Sequence, residues 1–305
     1  MAENRPLSHY LYLLFLSGVW GCSFLFLKII APTVPPMTIA AARITIGALI
    51  IVSYVLLKGG RLPTHSSIWL KGSLIGITGT GIPFILISWS MLYINSGIGA
   101  ICMSVIPLFV FVMAHFTTHD EKMSWAGLLG ILSGILGIVV LFYDTLKMSN
   151  VDAMGTYALI AMLVASFGYA LGNILIRRYV KTEPINTSFV MLTTSAIVIW
   201  PLALIFEQPL SIDYGSIEIL SILYLGILPT GITTMVLVIL TQKAGSTFVS
   251  YNTYIIPIVG VIAGYLFLDE TLKETTFLSI LFIAGGIFIA QRQRVRANQT
   301  LKPNP

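Results

Sequence analysis

The chain has 305 residues, 56% of them hydrophobic and only 10% charged, with a mean hydropathy of +0.92 and a formal net charge of +5. Soluble domains carry about a quarter charged residues, so this composition excludes a water-soluble globular domain and describes an integral membrane protein. The two cysteines, Cys22 and Cys102, both fall inside apolar stretches, which argues against a disulfide framework.

Stretches of roughly 20 apolar residues, the length that crosses a bilayer as a helix, cover 10–30, 37–57, 70–92, 97–117, 124–143, 154–177, 186–206, 218–241, 247–267 and 275–291. The third and fourth share one charge-free interval, 72–119, and the polar break Tyr93-Ile94-Asn95-Ser96-Gly97 divides them. The connections are too short for an attached ATPase or catalytic module. The first span is too long for a signal-peptide core and lacks a small-residue cleavage site, so it is expected to stay in the mature protein.

The ten spans repeat. Trp20 aligns with Tyr169, Lys28 with Arg177, Thr80-Gly81 with Thr230-Gly231, Ser96 with Ser246, Pro107 with Pro257 and Asp120-Glu121 with Asp269-Glu270, always at an offset of 149 or 150. An odd number of crossings per half makes the halves enter the membrane from opposite sides, which is the inverted repeat of alternating-access carriers. The expected fold is therefore all-α, an integral membrane bundle of ten transmembrane helices. Residues 1–148 form the first five-helix repeat, and residues 149–305 the second with a short basic tail.

Orientation follows from the basic residues. With the N-terminus inside, the inner segments hold Arg5, Lys58, Arg61, Lys71, Lys122, Arg177, Arg178, Lys181, Lys243, Arg292, Arg294, Arg296 and Lys302, and the outer loops hold Lys147 and Lys273. Both termini are thus expected in the cytoplasm. The positive charge is accounted for by the membrane surface, and no nucleic-acid partner is needed.

Along the chain, Trp20 stands roughly 15 Å into the first helix, too deep for the headgroup aromatic belt, so it stacks on a substrate or packs in the core. Lys28, near the helix end, fits ordinary snorkelling. Arg43 lies roughly 10 Å below the surface in the second helix, where a guanidinium fork suits a carboxylate, the alternative being helix-end carbonyls. Helices three and eight carry matched irregularities, Gly79-Thr80-Gly81-Ile82-Pro83 and Pro229-Thr230-Gly231, at corresponding places of the two halves, where a transporter's binding site is expected; close packing through small residues is the alternative.

The fourth helix runs through small residues to Pro107, and the ninth through Ser250, Tyr251, Asn252 and Tyr254 to Pro257; each proline frees a backbone carbonyl and makes a kink. Asn173 in the sixth helix is a neutral polar candidate. Trp89 fits an interface aromatic, and Trp200 in the seventh helix is expected to face lipid. His115 and His119 have metal-ligand spacing but no second cluster, so no metal is expected. No Asp or Glu lies well inside a span. Glu207 and Glu218 sit at outer helix ends, which disfavours exchange of protons for organic cations. Nucleotide-binding and zinc-protease motifs are absent, so neither an enzyme nor a cofactor is expected.

The opening Trp20-Gly21-x-Ser23-Phe24-x-x-x-Lys28, the run to Pro107 followed by Asp120-Glu121, and the run to Pro257 followed by Asp269-Glu270 resemble the drug/metabolite transporter superfamily, specifically its ten-helix EamA-type exporters. The resemblance spans the whole chain. It implies a basket-shaped bundle around a central cavity, with amino acids and related metabolites as cargo. Tyr169 stands where a tryptophan is frequent in that family's second half.

The expected function is a bacterial-type inner-membrane carrier that exports small zwitterionic or anionic metabolites, amino acids first, as a monomer or weak homodimer. Substrate contacts are expected from Trp20, Arg43, Tyr169, Asn173, Ser250, Tyr251, Asn252 and Tyr254, and hinges at Pro83, Pro107, Pro229 and Pro257. An importer or exchanger of another metabolite, or a membrane-embedded subunit without transport, are the alternatives.

Overall fold

In hydrocarbon no water is present to bond backbone N–H and C=O groups, so a chain this apolar satisfies them within each crossing, and the crossings are helical. The computed structural model describes residues 6–117, 125–147, 153–179, 184–244, 252–271 and 273–300, and all regular structure among them is helix. Among the described residues seven helices are long and apolar enough to span a membrane, and shorter apolar helices occupy Leu128–Val140, Ile255–Leu268 and Glu274–Gly286. Together they account for ten crossings.

The first half comprises α1 (Leu7–Ile30), α2 (Pro36–Leu57), α3 (Ser66–Gly76) continuing into α4 (Ile82–Ser90), α5 (Ser96–Met103) continuing into α6 (Ile106–Thr117), and α7 (Trp125–Lys147). The second comprises α8 (Ala153–Tyr179), α9 (Pro184–Phe206), α10 (Ser216–Gly226) continuing into α11 (Thr233–Ala244), α12 (Asn252–Leu268) and α13 (Glu274–Thr300). The end of the bundle where α1 begins is termed the near end, and the opposite one the far end.

The third and eighth crossings are interrupted by π-helical turns at Ile77–Gly81 and Ile227–Ile232, at matching places of the two halves. The wide turn arises where the ordinary ladder fails. Pro83 and Pro229 bring no amide hydrogen, and the glycines around them resist a regular path least. The fourth crossing breaks outright at Ser104-Val105, where Ser104 and Val105 donate to the carbonyls of Ile101 and Cys102, three residues back, at 3.0 and 3.3 Å. Ser166 of α8 donates its hydroxyl to the Cys102 carbonyl at 3.0 Å, so the break is bridged by the other half.

The strongest packing runs between the halves: α1 along α12, α2 along α9, α4 across α8 and α7 along α13. At the crossing of α8 with the first π turn a Cβ on Gly172 would meet the Cα of Gly79 at 2.9 Å, so two backbones touch without side chains between them. Gly172→Val should therefore destabilise by about 1–3 kcal/mol, the cost of overpacking against backbone. A lowered melting midpoint of the purified protein checks this.

At the far end, charges on one half cap helices of the other. Glu207 accepts from the Met37 and Thr38 amides at 2.8 and 2.7 Å and from the Thr38 hydroxyl at 2.8 Å, capping α2. Glu270, 8% exposed, accepts from the Ser96 amide at 2.6 Å, the Gly97 amide at 3.1 Å and the Ser96 hydroxyl at 3.1 Å, capping α5. Asp269 before it takes the left-handed conformation (φ 51°), tolerated by a short polar side chain, and this turns Glu270 back into the bundle. Lys28 donates to the Met91 carbonyl at 2.8 Å, closing the C-terminus of α4 beside Glu270. Anions at helix N-termini and a cation at a C-terminus each oppose the helix dipole.

Candidate functional site

The π turn of the eighth crossing is where α1, α2 and α10 converge at mid-bundle. Pro229 has no amide hydrogen for the Leu225 carbonyl four residues earlier, and the Thr230 hydroxyl donates to that carbonyl instead, at 2.7 Å. The Pro229 carbonyl accepts from the Trp20 indole at 3.1 Å and from the Thr233 hydroxyl at 2.8 Å. The Trp20 ring is thereby fixed, half-buried, against the second half, with Leu16 and Leu240 beside it. A Cβ on Gly47 of α2 would meet the Thr230 methyl at 2.6 Å, so only a glycine lets α2 approach this turn so closely.

Arg43 extends from α2 into this region. It is 5% exposed, its Nε donates to the Thr230 hydroxyl oxygen at 3.3 Å, and its guanidinium carbon lies 3.9 Å from the centroid of the Phe84 ring. Among the described residues no carboxylate pairs with it. Among the described residues its two terminal nitrogens have no hydrogen-bond partner. A buried cation with a neutral hydroxyl and a π face as its partners is under-compensated for the water it has lost, and an anionic ligand would supply the missing interaction.

Aromatic rings surround the cation. Tyr169 of α8 packs on Phe84 at 6.2 Å, and the hydroxyls of Tyr169 and Tyr224 lie within electrostatic reach of Arg43. Tyr224 stacks on Phe26 at 4.0 Å between centroids and donates to the Val19 carbonyl at 3.0 Å. The result is a guanidinium at the bottom of an aromatic wall, suited to a ligand with a carboxylate and an apolar body.

Of the residues singled out in the sequence, the structure brings Trp20, Arg43, Tyr169 and Pro229 to this one level. Pro83 packs its ring on Gly168, one residue from Tyr169. Pro107 follows the break between α5 and α6, and Pro257 is buried inside α12, which runs through it unbroken. Asn173 is exposed one turn beyond Tyr169 on the same face of α8, towards the near end. Asn252 is buried at the start of α12, away from any hydrogen bond described to the Arg43 cluster. Ser250 and Tyr251 lie outside the described residues, and so does the side chain of Tyr254.

Two members of the cluster escape a reading of the sequence, Phe84 and Tyr224: each sits in an apolar helix with nothing in its neighbourhood to mark it. Thr230 is marked by the irregular Pro229-Thr230-Gly231, but its bond to Arg43 is not legible there. Trp200, expected to face lipid, turns inward and donates its indole to the Thr45 hydroxyl at 2.9 Å. The seventh helix is apolar all round, so its sequence does not reveal which face is buried.

Among the described residues no group of three or more His, Cys, Asp or Glu could hold a metal. The model of the EamA-like transporter family matches twice, over residues 7–143 and 156–291. YoaV of Bacillus subtilis (strain 168), an uncharacterized transporter, is 24% identical over 273 residues, covering 89% of this chain and 92% of that protein. The inner membrane transporter YedA of Escherichia coli (strain K12) is 22% identical over 289 residues, covering 93% and 90%. A protein of the same organism described as a probable amino-acid metabolite efflux pump is 24% identical over 282 residues, covering 89% and 90%. A solved crystal structure superposes with a TM-score of 0.67 over 98% of this chain and 100% of its own at 17% identity, a likeness of fold.

Proposed function

Because the chain belongs to the EamA-like transporter family, we propose that it is a secondary carrier exporting small zwitterionic or anionic metabolites, amino acids first, across the inner membrane by alternating access. The observation that carries this reading is Arg43, a deeply buried guanidinium inside an aromatic wall, its two terminal nitrogens without a partner among the described residues. A carboxylate completes it; an organic cation is repelled by it. The likeness to an amino-acid metabolite efflux pump supports the same class of cargo.

The near end and both termini are read as cytoplasmic, a reading supported by the sequence's thirteen basic residues in the segments expected inside against Lys147 and Lys273 in those expected outside. The far-end caps at Glu207 and Glu270 then face the outside and tie the two halves together on that side. The hinges of the cycle are the two π turns and the prolines of the fourth and ninth crossings, where backbone bonding is already weakened.

Counterflow by the purified protein in liposomes, with radiolabelled L-leucine and succinate, each beside its amide, and with and without a pH gradient, tests the reading. Accumulation of the carboxylated compounds over their amides is expected. Counterflow of neither, in vesicles shown to contain correctly inserted protein, refutes it.

A further inference from the structure

Arg43 is aimed by a chain of two hydrogen bonds that begins at a proline. Pro229 cannot donate to the Leu225 carbonyl, so the Thr230 hydroxyl does, at 2.7 Å. A hydroxyl has one proton, and with that proton on Leu225 what Thr230 turns towards Arg43 Nε, at 3.3 Å, is a lone pair. Thr230 is 2% exposed and its methyl is seated against Gly47, so the oxygen cannot swing away.

A guanidinium can take a carboxylate side-on, through Nε and one terminal nitrogen, or end-on, through both terminal nitrogens. Here Nε is already held by Thr230, and the guanidinium carbon lies 3.9 Å from the centroid of the Phe84 ring. The end-on fork is what is left. The matching positions in the other half, Gly79-Thr80 and Thr193, have neither the proline nor the cation, so the arrangement exists once in the molecule.

We propose that Thr230 is the positioning residue of the substrate site, holding Arg43 so that a planar carboxylate is received end-on by the two terminal nitrogens. This rests on the carrier reading of Arg43 and adds the geometry and the residue that imposes it. Thr230 acts through Arg43 and does not itself touch the anion.

The test is counterflow kinetics of Thr230→Val and Thr230→Ser for L-leucine and succinate and for their amides. Valine keeps the methyl and shape but loses the hydroxyl; serine keeps the hydroxyl. For Thr230→Val the KM of the carboxylates is expected to rise about tenfold, the strength of one hydrogen bond to a charged group, and the KM of the amides to rise by much less. Thr230→Ser is expected to restore the wild-type KM.

Gly47→Ala is the second variant. It displaces Thr230 without removing its hydroxyl and is expected to raise the same KM selectively, which guards against misfolding of the valine variant. An unchanged carboxylate KM in Thr230→Val, or an equal rise for carboxylates and amides, overturns the proposal. If Arg43→Ala is selective for carboxylates while Thr230→Val is silent, the positioning role falls and the carrier reading stands. If the wild type carries no carboxylate, both fall.

Discussion

Arg43→Ala should weaken binding of a carboxylated substrate by about 100-fold while leaving its amide counterpart near the wild-type value. The figure follows from two charge-assisted hydrogen bonds, together about 3 kcal/mol, at about 1.4 kcal/mol per tenfold. The selectivity is the decisive part. Among the described residues the guanidinium meets the Thr230 hydroxyl and the Phe84 ring and caps no helix end, so its removal breaks no bond that ties one helix to the end of another. Loss of both substrates together would make Arg43 a structural residue. Arg43→Lys should behave like Arg43→Ala, because an ammonium has no planar fork and does not fill the space below Phe84. Counterflow dose curves for acid and amide, run on all three proteins, check this.

The second large effect is expected at Glu270. Its two carboxylate oxygens accept three bonds from Ser96 and Gly97, with the Ser96 amide on one oxygen and the Gly97 amide and Ser96 hydroxyl on the other. A Cβ on Gly264 would collide with this carboxylate, so the site is closely fitted from below. Glu270→Ala removes an N-terminal cap and leaves buried donors without acceptors, a loss of about 3 kcal/mol. Glu270→Gln should be nearly as harmful, because one oxygen becomes an NH2 facing a backbone N–H. The bonds join the ninth crossing to the fourth across the two halves, so losing them loosens the far-end contact between the halves as well as the fold. Both variants should show a melting midpoint lowered by several degrees and counterflow reduced at least tenfold. Wild-type values for both measurements in Glu270→Gln would show that the contact does not hold the far end.

The sequence and the structure agree most closely where the signal is long or doubled. Ten crossings follow from runs of apolar residues that only a helix can satisfy in hydrocarbon. The matched Thr80-Gly81 and Thr230-Gly231 pairs fall in the two π turns, since the irregularity is local and written in prolines and glycines. Arg43 and Trp20 are legible because their depth is costly or unusual for their type. Phe84 and Tyr224 are not, since an aromatic in an apolar helix looks alike whether it faces lipid, core or cavity. For the same reason the expectation that Trp200 faces lipid fails, and its ring turns inward. The role of Glu270 depends on Ser96, 174 residues away, so a motif that the repeat makes visible stays without a meaning until the fold joins its ends.

The way α1 lies along α12, α2 along α9 and α7 along α13 carries a consequence for how the molecule can be built. Each half serves as the other's interior, and a single copy of five crossings, stripped of its sibling, would leave its mating surfaces bare. Such a chain can be made in two pieces only if both are present at once, and the ribosome that finishes the fifth crossing has not yet produced anything able to stand by itself.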